Sequence, residues 1–162
     1  MSTVGFVGLG DMGSRMVPHL LGADQRVVVF DVRRDRLDAM TALGAVAADS
    51  PAAAAHDADV VISAVMSADI PAAHLGPEGI LAGMRPETAL AVLSTTTPNM
   101  LQLISSQMPA GVHLVDAPLI GGVRAGRRRL WADAEAGPPP PVFFDLTTHT
   151  TALPRFRANE PL

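Results

Sequence analysis

The sequence predicts an α/β domain built on a doubly wound parallel sheet. Three observations carry that prediction. Short runs rich in Val, Ile and Leu alternate with longer alanine-rich segments from Thr3 to Asp116, helix signals fall between the runs, and a glycine triplet joins the first run to the first helix. Strand and helix patterns in alternation make parallel pairs, and apolar strands of this kind belong to a sheet covered on both faces.

Six strands are predicted: Thr3–Val7, Arg26–Asp31, a weak one over Ala45–Ala47, Asp59–Val65, Ala89–Leu93 and Val112–Asp116. The first helix follows the first strand at once, with Met12, Met16 and Leu20 spaced four apart on one face. A second helix over Arg34–Leu43 stops at Gly44. Ser50-Pro51 supplies an N-cap and a first-turn proline for a third, and Thr97-Pro98 does the same for a helix running to Met108. This order of elements predicts a sheet order of 3-2-1-4-5-6, with ligands bound outside the carboxyl ends of the strands.

Composition narrows the class of function. The 162 residues are 48% apolar with a mean hydropathy of +0.27, ample for one core. There is no cysteine, which removes disulfides, zinc–thiolate sites and thiol nucleophiles together. A net charge of −4 and a pI near 5.6 argue against nucleic acid or an anionic membrane as partner. No apolar stretch approaches the ~18 residues of a spanning helix, and the N-terminus lacks the basic start of a signal peptide, so the expected location is cytoplasmic. The five histidines, His19, His56, His74, His113 and His149, show no metal-ligand spacing and read as surface or helix residues; no metal site is expected. Met12, Met16, Met66, Met84 and Met108 read as core filling.

The chemistry concentrates at Gly8-Leu9-Gly10-Asp11-Met12-Gly13, a G-x-G-x-x-G between a strand and a helix. Gly8 allows the tight turn, Gly10 lets a pyrophosphate approach the backbone, and Gly13 lets helix and strand pack closely. Backbone N–H groups of Leu9, Gly10, Asp11 and Met12 are expected to face the anion at the positive end of the helix dipole. Asp31 ends the second strand 21 residues after Gly10, where a carboxylate accepts the ribose hydroxyls. That carboxylate would repel a 2′-phosphate, so NAD is favoured; Arg33-Arg34 either admit NADP or simply start an exposed helix. Residues 1–123 are thus expected to form a dinucleotide-binding domain.

These residues resemble the 3-hydroxyisobutyrate dehydrogenase group of β-hydroxyacid dehydrogenases, relatives of 6-phosphogluconate dehydrogenase with a Rossmann-like N-terminal domain. Gly5-Phe-Val-Gly-Leu-Gly-Asp-Met-Gly13 is similar to the family's G-x-x-G-L-G-x-M-G, and Val65-Met66 stands where the family often has Leu-Pro beside the cofactor. Ser94-Thr-Thr-Thr-Pro98 resembles its S-T-x-x-P, which implies a place for Thr95 near the nicotinamide. Asp116-Ala-Pro-Leu-Ile-Gly-Gly-Val123 resembles the segment that lines the substrate carboxylate. There Gly121 and Gly122 either offer backbone N–H groups to the substrate or form an ordinary turn. The resemblance implies hydride transfer between a small hydroxyacid and a nicotinamide.

The chain also departs from the family. Ile120 replaces a serine, and all twelve basic residues are arginine, so the family's general acid/base lysine has no counterpart and no catalytic residue is assigned. No counterpart of the family's all-helical second domain is expected either. From Arg124 to Leu162 the chain becomes rich in arginine and proline, with Val142–Leu146 as its one strand candidate, and the expectation is an irregular tail from a truncated or shifted reading frame. Two readings follow: an NAD(P)-dependent oxidoreductase represented by its cofactor-binding domain, or a dinucleotide-binding remnant without turnover. Loss of the second domain is further expected to bare an apolar face and favour self-association.

Overall fold

A computed structural model of the chain describes residues 2–118; Gly121, Gly122 and the segment 124–162 with Val142–Leu146 lie outside the described residues. Six strands form one sheet: β1 (Thr3–Val7), β2 (Arg26–Phe30), β3 (Val46–Ala47), β4 (Val60–Ser63), β5 (Ala89–Val92) and β6 (His113–Asp116). Their order is β3-β2-β1-β4-β5-β6 and every pairing is parallel, as the alternating pattern predicts. Gly5 pairs with Val28 on one side and Val61 on the other, so β1 is the central strand and the order reverses there.

Side chains alternate between two cores, one on each face. Phe6, Val27, Val29 and Ile62 pack with Val17 and Leu20 of α1 (Gly13–Gly22) and with Leu37 and Met40 of α2 (Arg34–Thr41). Val7, Val28, Val61 and Leu90 point the other way. They pack with Ala54 of α3 (Pro51–Ala55), Ile70 of α4 (Ile70–His74), Ile80 of α5 (Ile80–Gly83) and Ile104 of α6 (Pro98–Gln107). Fully burying each such Val, Leu, Ile or Phe contributes about 1.5–3 kcal/mol, and the two-sided cover follows from strands that are apolar on both faces.

Helix starts follow the predicted caps. The Ser50 hydroxyl accepts the Ala53 N–H at 3.0 Å and the Thr97 hydroxyl accepts the Met100 N–H at 3.3 Å, with Pro51 and Pro98 at first-turn positions that need no N–H partner. α2 stops at Thr41, two residues before the predicted end. Gly44 takes a φ of +106°, and the Gly44 and Ala45 N–H groups fold back on the Thr41 and Met40 carbonyls. Asp31, Ala64, Val65 and Leu93 fall just beyond their strands, because the chain turns out of the sheet at this edge. The sequence gives no clear signal for α4, α5 and the 3-10 turn Ser67–Asp69 between β4 and β5: each spans under six residues, too short for a 3.6-residue period to register. No helix among the described residues is long and apolar enough to cross a membrane.

Candidate functional site

The turn after β1 is dictated by collisions. Gly8 has a φ of +99°, donates its N–H to the Phe30 carbonyl at 2.9 Å, and a Cβ there would come 2.6 Å from the Ala64 carbonyl oxygen. A Cβ on Gly13 would run into the Gly8 carbonyl and lie 2.9 Å from the Phe6 ring. Both glycines are therefore required by the protein's own packing.

Gly10 is different. Its nearest neighbour on adding a Cβ would be Nη1 of Arg36 at 3.7 Å, an ordinary van der Waals distance. No packing contact within the described residues demands a glycine there, so a Cβ would only fill an open cradle. Around that cradle the N–H groups of Gly10, Asp11 and Met12 have no protein acceptor among the described residues, and α1 starts at Gly13 without a side-chain cap. Unpaired N–H groups at the positive end of a ten-residue helix suit an anion, and an open backbone above Gly10 suits the bulk of a pyrophosphate. The exposed Asp11 side chain leaves those donors uncapped.

Asp31 is buried at the end of β2. Its Oδ2 accepts the Leu9 N–H at 2.6 Å and its Oδ1 accepts the Arg33 N–H at 2.9 Å. This corrects the expectation for Leu9: its N–H is taken by Asp31 rather than left for an anion, and its side chain is core. A carboxylate offers about four lone-pair sites, so Asp31 retains capacity for hydroxyl donors. Of the two alternatives for Arg33 and Arg34, an exposed helix start is the one seen. Arg33 is bound bidentately by Asp35 at 2.6 and 3.1 Å, and Arg34 by Asp38 at 3.0 Å. The Arg33–Asp35 hydrogen bond holds the Asp35 carboxyl below its ordinary range and raises Arg33. Arg36, which the motif reading passed over, is the arginine that reaches Asp31, with Nη1 3.7 Å from Oδ2. It sits two residues past Arg34 along α2, a rotation of roughly 200° around the helix, away from Arg34 and next to buried Leu37.

The loops after β4 and β5 complete the edge. The Ser94 hydroxyl donates to the Val65 carbonyl at 2.6 Å, and the Ser67 hydroxyl donates to the Thr95 carbonyl at 2.6 Å. These two bonds bring Val65, Met66 and exposed Thr95 together. Met66 is 76% exposed, which corrects its reading as core filling; Met84 is buried as expected. Ser67 was missed because a lone serine after a strand carries no pattern. His74 lies on α4, as the helix alternative had it, and is fully buried there. Its Nδ1 donates to the Ile70 carbonyl at 2.8 Å, Nε2 has no partner among the described residues, and burial pushes its pKa below the ordinary value.

A glycine turn with an open cradle, unpaired helix N–H groups and a buried carboxylate on the next strand together define a dinucleotide-binding α/β domain. Residues 3–129 match the family model for the NAD binding domain of 6-phosphogluconate dehydrogenase, and the chain belongs to that family. It is 34% identical over 140 residues to a 3-hydroxyisobutyrate dehydrogenase of Pseudomonas aeruginosa, covering 85% of this chain and 47% of the relative. It is 36% identical over 124 residues to an NAD-dependent L-serine dehydrogenase of the same organism, covering 75% and 42%. The structure of 3-hydroxyisobutyrate dehydrogenase from Mycobacterium tuberculosis with L-serine superposes with a TM-score of 0.66 at 31% identity, covering 76% of this chain and 42% of the other. The chain thus spans less than half the length of these relatives.

Proposed function

We propose that this chain is the cofactor-binding domain of an NAD(P)-dependent oxidoreductase of the β-hydroxyacid dehydrogenase type. The observation that carries the proposal is Gly10, a glycine that packing among the described residues does not need, flanked by N–H groups without acceptors among those residues. In this reading Gly10, Asp11 and Met12 donate to the pyrophosphate from the start of α1, between Gly8 and Gly13 that shape the turn. Asp31 accepts a ribose hydroxyl while holding Leu9 in place. Val65, Met66 and Thr95 flank the nicotinamide end, and Gly121 and Gly122 face a small hydroxyacid's carboxylate. The nicotinamide supplies the hydride acceptor or donor, and the residues named here bind and orient.

Proton movement on the substrate oxygen needs a titratable group near neutrality, and one specific observation favours a second reading for this chain on its own. Its 162 residues include no lysine, arginine stays protonated, and none of its five histidines falls within the turn and loop residues named above. On that ground the chain binds dinucleotide without turning over substrate. Calorimetric titration is expected to give NADH binding in the micromolar to millimolar range, tighter than NADPH; a clear preference for NADPH contradicts the role given to Asp31. With NAD and 3-hydroxyisobutyrate or L-serine, no NADH is expected above the no-enzyme rate, and steady production overturns the second reading.

A further inference from the structure

We propose that Ser67–Leu75 is a proton-sensitive strap, in which a proton on buried His74 releases α4 from the core and loosens the paired loops at the nicotinamide end. The link to the cofactor rests on the dinucleotide reading above, whereas the release rests on packing alone. The strap is short and lightly held. It comprises the 3-10 turn Ser67–Asp69, the five-residue α4 and the Leu75 that follows. On one side the Val65 carbonyl is pinned by the Ser94 hydroxyl. On the other, Gly76 turns the chain at a φ of +84°, and a Cβ there would meet nothing within 4 Å among the described residues. The outer residues Ala68, Asp69, Pro71 and Ala72 are exposed, and three side chains, Ile70, Ala73 and His74, anchor the strap inward. A Cβ on Gly79 would lie 2.6 Å from the His74 carbonyl oxygen, so the start of α5 closes against that anchor.

Of the three anchors only His74 is ionisable. With Nδ1 donating to the Ile70 carbonyl, Nε2 carries the lone pair, buried and without a partner among the described residues. A proton there creates a second N–H donor and a full charge in an apolar setting, with no described group to receive either. Among the elements packed against α4, the 3-10 turn brings only the exposed Asp69 and α5 brings no ionisable side chain; Glu78 and Arg85, on either side of α5, are exposed. The neighbouring core elements β4, β5, α3 and α6 carry none. Burial accordingly lowers the His74 pKa, offset in part by the bond to Ile70, and no charged neighbour contributes. Release returns the ring to water and to its ordinary 6.5, so the docked strap is favoured above about pH 6.5 and release grows as pH falls below it. A released strap withdraws the Ser67 hydroxyl from the Thr95 carbonyl, the bond that ties the loop after β4 to the loop after β5. The Gly8 turn and Asp31 keep their own bonds.

The test is amide hydrogen exchange of the full chain, without ligand, at pH 7.5 and 5.5 for the parent and for His74→Met. The Asp69 and Leu75 amides, which donate to the Met66 and Pro71 carbonyls, report on the strap. Corrected for intrinsic rates, they should exchange up to about tenfold faster at pH 5.5 in the parent, the limit for one proton taken up with a released-state pKa of 6.5. Amides of β1 and β2 should hold their protection, and His74→Met should show no such rise. Calorimetry at the same two pH values adds the cofactor: NAD should weaken several-fold at pH 5.5, while ADP-ribose, which lacks the nicotinamide, changes less than about twofold. Strap amides that ignore pH, or β1 and β2 amides that respond as much, overturn the release on the parent alone, even if His74→Met fails to fold. A folded His74→Met that responds like the parent overturns the role of His74. Equal weakening of NAD and ADP-ribose overturns the link to the nicotinamide end. A parent that binds neither ligand at pH 7.5 defeats the dinucleotide reading and that link with it, while the exchange data judge the release by themselves.

Discussion

At the ends of β1 and β2 the chain turns where backbone collisions leave no alternative, whereas at the ends of β4 and β5 it turns where two serine hydroxyls hold it. On the first side, Gly8 and Gly13 have no room for a Cβ, and Asp31, the one buried carboxylate among the described residues, accepts two backbone N–H groups. On the second side, the Ser94–Val65 and Ser67–Thr95 bonds tie the loops, Met66 stands out in solvent, and two buried polar atoms, Ser63 Oγ and His74 Nε2, have no partner among the described residues. Shape imposed by exclusion is costly to alter; shape held by single hydrogen bonds yields to modest changes. The adenosine-side turn should therefore behave as part of the core, and the opposite side as the softer half of the same edge.

The largest expected effect breaks the first side. Gly13→Ala pushes a methyl into the Gly8 carbonyl and the Phe6 ring, and Gly8→Ala adds a side chain at a positive φ against Ala64. Each should lose about 3 kcal/mol or more in urea unfolding, from overpacking and backbone strain together. A midpoint unchanged by Gly13→Ala would remove the distinction between the two sides.

Smaller effects should sharpen the second side. Ser94→Ala leaves a carbonyl without its donor and should cost about 1–2 kcal/mol, read by the same unfolding curve and by faster hydrogen exchange around Val65. Ser63→Ala should go the other way, gaining up to about 1 kcal/mol, because the hydroxyl it deletes is buried without a partner among the described residues. If Ser63→Ala destabilises as Ser94→Ala does, the β4 end is satisfied in a way the geometry does not show.

His74 adds a pH dependence to the same half. Burial lowers its folded pKa below the ordinary 6.5, so the unfolded chain binds the proton more readily. Its contribution is complete above about pH 6.5 and is lost as pH falls from there toward the folded pKa, with a slope of at most ~1.4 kcal/mol per pH unit. Urea unfolding of the parent and of His74→Met between pH 7.5 and 5 should show the parent's slope flattened in the variant. Equal slopes would place the titration elsewhere.

What the sequence made legible follows the same division. Strand order, the two faces and the Ser50 and Thr97 caps could be read because apolar periodicity and capping are local patterns that the packing then respects. The turn from Gly8 to Gly13 could be read because collisions leave glycine alone at two of its positions. Arg36 could not, because choosing among three arginines requires the rotational setting of α2 against the sheet, which depends on the burial of Leu37 and Met40. The Asp31–Leu9 bond joins residues 22 apart and has no local signature. Met66 was misread because a methionine closing an apolar strand looks the same whether the next residue turns inward or out. Ser67 and the short helices after it lie in a stretch without period, where hydroxyl–carbonyl bonds across strands decide the shape.

The sharpest measurement is the Gly10→Ala variant, titrated with NADH by calorimetry and unfolded in urea alongside the parent. A Cβ on Gly10 would meet nothing among the described residues closer than 3.7 Å, so a methyl should leave stability within about 0.5 kcal/mol while filling the cradle beneath the pyrophosphate. A dinucleotide site predicts an NADH affinity weakened about tenfold or more in a variant as stable as the parent. NADH binding as tight in Gly10→Ala as in the parent would contradict the assignment of this turn as the phosphate seat.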